Sequence, residues 1–453
     1  HFTIHSFPTR RSSDLGHSEE MNARPSKGVV PRRSDALAPG RGTPFFEGPT
    51  ALSTPPHVLM ASSVSFAGRA QSLEQSDIRS VTRRVEAVDG INLGQGVCDL
   101  PTPQPIKARA QRAIAEDRSI YSHHAGIVPL RKAILEKGQA ENELPATSPD
   151  EVVVGVGSTG CFVSAAFTLL EEGDEVVLFE PFYGYHRNIL ELTGATIRTV
   201  PLGGPDAPFD RAAVEDVVTP DTKAIVVNTP ANPSGKVWAR AELEALLDLM
   251  QAHDLVAITD EIYEYMLYDG AEHVSLASLP GAYERTITLS GFSKAYNVTG
   301  WRLGYGVAPA PIAEKMGLMN DLLYICAPRP LQHAALAAFE ELDRSYVDQL
   351  QADYAARRRV LCETLEAIGF EVPWPDGAYY VLADFGPLAD RRAGFEDDAS
   401  ACQTLVEEAG IGSVTGRSFY EDPADGRSQL RFCFAKELPV LEQACAQLRE
   451  AFG

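Results

Sequence analysis

The string SGFSKAYNVTGWRLGY at 290–305 sets Lys294 just beyond an apolar run and Arg302 eight residues later. An amine that forms a Schiff base must be fixed in space and partly unprotonated, and lysine is the side chain for that task. A nearby guanidinium suits a phosphate dianion through paired hydrogen bonds. Ser290 and Ser293 bring hydroxyl donors to the same stretch. A lysine and an arginine at this spacing alone also describe a surface lysine and a structural arginine in a turn. The Gly-Trp-Arg-Leu-Gly ending makes the whole string more specific than the pair. GVGSTG at 155–160 joins a strand candidate to a helix candidate, a junction that offers free backbone N–H groups to an anion. Its glycines stand at 155, 157 and 160, off the spacing of a dinucleotide fingerprint.

The elements that must hold these residues follow from the apolar periodicity. Between 150 and 310, short β-branched runs alternate with helical stretches: VVVGV (152–156), EVVLF (175–179), TIRTV (196–200), AIVVN (224–228), LVAIT (255–259), TITLS (286–290) and RLGYG (302–306). Near-continuous apolar runs are expected of strands buried on both faces. Helical segments such as Cys161 to Leu170 and Ala241 to His253 fall between them. The pattern predicts an α/β domain with a mainly parallel seven-stranded sheet flanked by helices, with ligands at the carboxyl ends of its strands. After about 310 a long helical stretch begins, then FEVPWPDGAYYVLADF (370–385), a helix near 398–409 and LRFCFAK (430–436), which together predict a smaller α+β domain. The expected division is an extension at 1–60, the first piece of the small domain at 61–106, the large domain at 107–330 and the rest of the small domain at 331–453.

Residues 1–60 have no sustained period and are rich in Pro, Ser, Gly and Arg. HFTIHSFPTRRSSDL reads as translated sequencing adaptor, so a natural start near Met60 and disorder before it are expected. No apolar h-region of a signal peptide is present, and an Arg-rich transit peptide over Met21 to Arg41 is the competing reading. The formal charge of −22 over 453 residues argues against nucleic acid as a partner, because phosphate contacts need a basic surplus. It leaves room for small anions in a local cationic pocket. Seven scattered cysteines without a CxxC pair fit reduced thiols in the cytoplasm. No apolar run reaches the roughly 20 residues that span a bilayer.

The 290–305 string resembles the cofactor-lysine signature of class I/II aminotransferases, the fold-type I pyridoxal 5′-phosphate enzymes. The resemblance extends over about 70–450, and INLGQGVCDLPTP (91–103) and LRFCFAK resemble the kynurenine and methionine aminotransferase branch. It implies a role for each matching residue. Lys294 carries the cofactor as a Schiff base. Asp260, in DEIY after LVAIT, keeps the pyridine nitrogen protonated, since a carboxylate beside it favours the charged form. His186 in EPFYGYH stands behind Asp260. Tyr263 bonds the ring oxygen O3′, and Asn232 of NTPANPSG contacts O3′ and the substrate carboxylate. Ser158, Thr159, Ser290 and Arg302 take the phosphate, and Tyr183 stacks on the ring. Arg431 holds the α-carboxylate as a planar fork, with the N–H of Gly96 on its other side. Tyr121 of YSHHAGIVPLRKAI reaches the phosphate of a neighbouring subunit, which implies a homodimer with shared active sites. Gly291 departs from relatives that carry a phosphate-binding serine three residues before the lysine. His123 and His124 lack a carboxylate or cysteine at metal-site spacing, so no metal is expected.

The implied reaction moves the amino group of an L-amino acid to a 2-oxo acid in ping-pong order. Lys294 removes the Cα proton and returns it to the cofactor. A C–S β-lyase on the same scaffold would use the same residues. A transcription regulator with an aminotransferase-like domain would need a basic DNA-binding segment, whereas residues 1–60 carry seven Lys/Arg against five Asp/Glu and no helical period. No second arginine motif marks a dicarboxylate pocket.

Overall fold

A computed structural model describes residues 66–68, 77–96, 98–389 and 391–453, with the backbone alone given for 77–80. The expectations for 1–60 lie outside the described residues. In chain order the strands are β1 (Ile91–Asn92), β2 (Val152–Gly155), β3 (Glu175–Glu180), β4 (Thr196–Pro201), β5 (Thr222–Asn228), β6 (Val256–Asp260), β7 (Thr286–Gly291), β8 (Gly304–Val307), β9 (Tyr380–Asp384), β10 (Ile411–Gly412), β11 (Val414–Thr415) and β12 (Gln429–Cys433).

Seven of them form one sheet, as the apolar runs predict, and their order is β2-β8-β7-β6-β5-β3-β4. β3, β4, β5, β6 and β7 run parallel, and β8 is antiparallel to both β2 and β7. The reversal at β8 has a simple cause. The connection from β7, residues 292–303, passes through Lys294 and one 3-10 turn (Thr299–Trp301) and contains no α-helix to carry the chain across the sheet face for a parallel return. Alternation along the strands splits the core between the two faces. Val176, Leu178, Val226 and Ile258 pack with Phe162 and Leu190 on one side. Val177, Phe179, Ile225 and Val227 pack with Trp238 and Leu246 on the other. β4 lies at the edge, and its burial alternates as an edge strand's does.

The helix Gly157–Leu169 starts directly after β2, and Arg240–Ala252 connects β5 to β6. The helical stretch after 310 is three helices, Ala310–Tyr324, Arg329–Glu340 and Arg344–Ala367. Pro328 separates the first two, where its ring and missing N–H stop a continuous helix. Further on, β11, β12 and β9 form a small antiparallel sheet over a core that includes Tyr354, Tyr379, Phe432 and Phe434. β1 pairs in parallel with β10, Ile91 opposite Ile411.

Candidate active site

The carboxyl ends of β2, β3, β5, β6 and β7 surround a cavity of about 330 Å³. β6 ends on Asp260, a buried carboxylate whose Oδ2 lies 2.9 Å from Nε2 of His186. Oδ1 accepts from the N–H of Ile262. The His186 ring is itself fixed, stacked on Phe162 at 4.4 Å and met edge-on by Tyr183. The carbonyl of Asp260 accepts from Asn228 Nδ2, and Asn228 Oδ1 in turn accepts from the N–H of Asn232. The carboxylate at the strand end is therefore held by His186 and the N–H of Ile262, and the backbone that carries it by Asn228.

β7 ends at Gly291, and the turn that follows brings Lys294 back over the sheet edge. Its Nζ donates to Tyr379 Oη at 2.6 Å and to the Gly96 carbonyl at 3.5 Å, above the rings of Tyr263 and Tyr379. Loss of hydration on burial lowers its pKa from the ordinary 10.5 to about 8. The neutral amine, which a nucleophile needs, is thus still the minor form near physiological pH but far more populated than an ordinary lysine would allow. Gly96 admits no side chain, since a Cβ there would stand 1.8 Å from Tyr380 Oη.

Opposite ends of the cavity are cationic. Arg431 is only 2% exposed, sandwiched between Tyr380 and Phe419. Nη1 donates to Asn232 Oδ1 and Nη2 to the Gly94 carbonyl, while Nε has no partner among the described residues. A buried guanidinium with a spare donor suits a carboxylate. At the other end the helix Gly157–Leu169 points its first N–H groups into the cavity, with Ser158 and Thr159 on the wall. Arg302 stands against this turn in a left-handed conformation, its Nη1 bonded to the Thr299 carbonyl. A Cβ on Gly157 would lie 2.5 Å from Arg302 Nη2, and one on Gly304 would lie 2.3 Å from the nitrogen of Ser158. The two glycines keep the turn and the guanidinium close enough to share one anion.

The cavity gathers Gly96, Ser158, Thr159, Tyr183, Asn232, Asp260, Tyr263, Lys294, Arg302 and Arg431 from the sequence expectations. Ser290 is a correction. Its hydroxyl donates to Glu264 Oε1 at 2.8 Å, in a buried group with Lys137 and Asn142 on the far side of β7. Leu289 belongs to the face covered by the helix Gly157–Leu169, so the period-2 alternation turns Ser290 the other way. Ser293, beyond the strand end, lines the cavity instead. Tyr121 lies apart from the cavity with 76% of its surface exposed. Sequence reasoning passed over Asn228, Tyr185, Tyr379 and Tyr380. The last two stand in GAYYV, where an aromatic pair after a Pro-Asp-Gly turn is the available signal.

A doubly wound sheet with a buried amine, a braced carboxylate and an anion cradle at its strand ends defines a cofactor-dependent group-transfer enzyme. Residues 88–448 match the model of the family Aminotransferase class I and II, and the chain belongs to it. It is 35% identical to the probable N-succinyldiaminopimelate aminotransferase of Mycobacterium tuberculosis, over 80% of this chain and 92% of the relative. It is also 35% identical to the aspartate/prephenate aminotransferase of Thermus thermophilus, over 79% and 90%. The methionine aminotransferase of Escherichia coli is 29% identical, over 80% and 92%. The solved N-succinyldiaminopimelate aminotransferase of M. tuberculosis superposes with a TM-score of 0.80 at 32% identity, over 85% of this chain and all of that one. The protein is a transaminase that moves an amino group between an amino acid and a 2-oxo acid, with pyridoxal 5′-phosphate as cofactor. The lyase alternative is not favoured.

The residues present fit that cofactor. The glycine-lined cradle of Ser158, Thr159 and Arg302 suits a phosphate, Asp260 a ring nitrogen, and Lys294 an aldehyde carbon.

Proposed function

We propose that this chain transfers the amino group in ping-pong order, with Lys294 holding the cofactor and moving the substrate's Cα proton. The observation that carries the reading is that Lys294 borders the same cavity as Asp260, Arg302 and Arg431. When bound, the cofactor supplies an electron sink for the pair left by that proton. Arg431 and Asn232 take the substrate α-carboxylate, helped by the N–H of Gly96, and so orient Cα toward Lys294. With the cofactor bound, Nζ of Lys294 would be the group placed to accept the Cα proton and to return it. Asp260, braced by His186, holds the proton on the ring nitrogen. Tyr183 offers a flat face to the ring, Tyr263 a hydroxyl to its oxygen, and Ser158, Thr159 and Arg302 hold the phosphate.

Residues 107–330 are read as the cofactor-binding domain, and 61–106 with 331–453 as the smaller one; the β1–β10 pairing supports this. The homodimer with shared sites is supported by exposed apolar side chains, several of them on the helix Ala310–Tyr324, which packs against the cradle's helix Gly157–Leu169. Leu322 is 83% exposed, and Leu318, Leu323, Ile325, Ile120 and Tyr121 are also exposed. Arg329 ties this group together by donating to the carbonyls of Ile120 and Tyr121. Seven unpaired thiols support a cytoplasmic location. Among the described residues, no helix is long and apolar enough to cross a membrane.

Borohydride reduction tests the assignment of Lys294. In the wild type it should fix the cofactor to the peptide that contains this residue, and Lys294→Ala should abolish both the adduct and turnover. A reduced adduct on any other lysine would overturn the reading.

A further inference from the structure

We infer that Tyr379 is a positioning residue for the proton transfer at Lys294, its hydroxyl holding the free amine while the proton arrives and leaves, an inference that rests on the reading of Lys294 above. Tyr379 is fully buried and is not part of the cavity wall. Its contacts therefore belong to its own chain, whatever wall a second chain adds to the cavity. Its ring is fixed by other rings. Tyr354 stacks on it at 5.9 Å and 26°, and Tyr263 and Tyr380 meet it edge-on at 5.1 Å and 4.7 Å. Its hydroxyl donates to the Gly96 carbonyl at 3.0 Å. A hydroxyl has one proton to give, so an oxygen lone pair is what faces Nζ of Lys294, 2.6 Å away. Burial pushes the phenol well above its ordinary range, so Tyr379 keeps its own proton and does not carry the one in transit.

Nζ has three directions besides its bond to Cε. Tyr379 Oη and the Gly96 carbonyl take two of them. The third carries the lone pair of the neutral amine, or the proton once it has been accepted. The two acceptors thus set the direction from which a proton reaches the nitrogen. Once Nζ is an ammonium, its contact with Oη becomes a charge-assisted hydrogen bond, roughly twice as strong as a neutral one. Removal of the hydroxyl therefore weakens the protonated form most. Cys433, Cys98, Arg431, Asp260 and Tyr263 also act on this amine, and replacing Tyr379 by Phe leaves all of them in the chain.

Two measurements on Tyr379→Phe, which keeps the ring, decide this. The first needs neither cofactor nor turnover. Acetic anhydride labelling of the apoprotein across a pH series, read at the Lys294 peptide by mass spectrometry, gives the midpoint at which the amine loses its proton. Wild type should show it near 8, and Tyr379→Phe about one pH unit lower, the order expected when an ammonium loses one hydrogen bond. If Tyr379 only fills space, its replacement loosens the packing, admits water and moves the midpoint up toward 10.5. An unchanged or raised midpoint overturns the inference. The second follows loss of the cofactor–lysine absorbance with alanine, phenylalanine, methionine and aspartate, each carrying protium or deuterium at Cα. For whichever reacts fastest, Tyr379→Phe should lower the maximal rate about tenfold, at unchanged half-saturation and with an isotope effect at least that of wild type. An unchanged maximal rate, or a smaller isotope effect, overturns it as well. If borohydride leaves no adduct on Lys294, the reading of that residue fails, and the labelling midpoint still decides whether Tyr379 holds its amine.

Discussion

Lys294 does its work through its surroundings. Tyr379 and the Gly96 carbonyl receive its hydrogen bonds, and the rings of Tyr263 and Tyr379 replace the water an ammonium would need. Burial is the largest cause of its depressed pKa, about 8 against an ordinary 10.5. Two consequences follow for the apoprotein. Capture of pyridoxal 5′-phosphate requires the neutral amine, so its rate should rise with pH through a midpoint near 8. A stopped-flow titration of the absorbance change measures this, and a midpoint at the ordinary 10.5 would remove burial as the cause. Stability has the same sign. Between the folded and unfolded values the unfolded chain holds a proton that the folded chain lacks, so this group's contribution rises with pH across that window. Below it the full penalty of keeping an amine in a poorly hydrated place persists. Lys294, Asp260, Arg302 and Arg431 were legible because each stands in a string too specific for chance spacing. Tyr379 and Tyr380 were not. They enter the site by folding a distant segment over Gly96, and nothing local in GAYYV announces that closeness.

At the scale of elements, β7 shows what a motif leaves undetermined. TITLS read correctly as a strand, but a run buried on both faces hides which way each side chain points. Ser290 points to Glu264, which Lys137 and Asn142 also hold, and that buried group ties the helix Val128–Glu141 to the segment after Asp260. Ser290→Ala should thus leave cofactor affinity and kcat unchanged while costing about 1 to 3 kcal/mol of stability through the unsatisfied carboxylate oxygen. Denaturant unfolding beside a cofactor titration checks both halves. A loss of cofactor affinity at unchanged stability would return Ser290 to the phosphate. The direction of β8 was equally hidden, since RLGYG has the composition of its parallel neighbours. What goes with its direction is the lack of an α-helix in the connection, a property of the chain between strands rather than of the strand.

For the whole molecule, the strong negative charge and the exposed apolar group around the helix Ala310–Tyr324 pull in different directions. Charge of −22 keeps copies apart in general, so an association that does form must be specific and apolar. Leu318, Leu322, Leu323 and Ile325 end one helix, and Arg329 at the start of the next fixes the carbonyls of Ile120 and Tyr121. Covering this group with a second copy would bury a face on the helix that packs against each cradle's helix and carry the exposed Tyr121 ring toward the partner's phosphate end. A two-fold interface makes the contact reciprocal. The expected outcome can be tested by mixing chains. Tyr121→Phe and Lys294→Ala should each be inactive or impaired on their own. In a mixed dimer with shared sites, one site carries both lesions and the other carries neither. After full exchange of equal amounts, half the dimers are mixed, so about a quarter of the wild-type activity per chain should return. If Tyr121 serves its own subunit, the Tyr121→Phe chain keeps its lesion beside its own Lys294, and mixing restores nothing. Native mass spectrometry of tagged chains confirms exchange. An active monomer, or confirmed exchange without recovered activity, would return Tyr121 to its own subunit and leave the exposed leucines without a partner across the site.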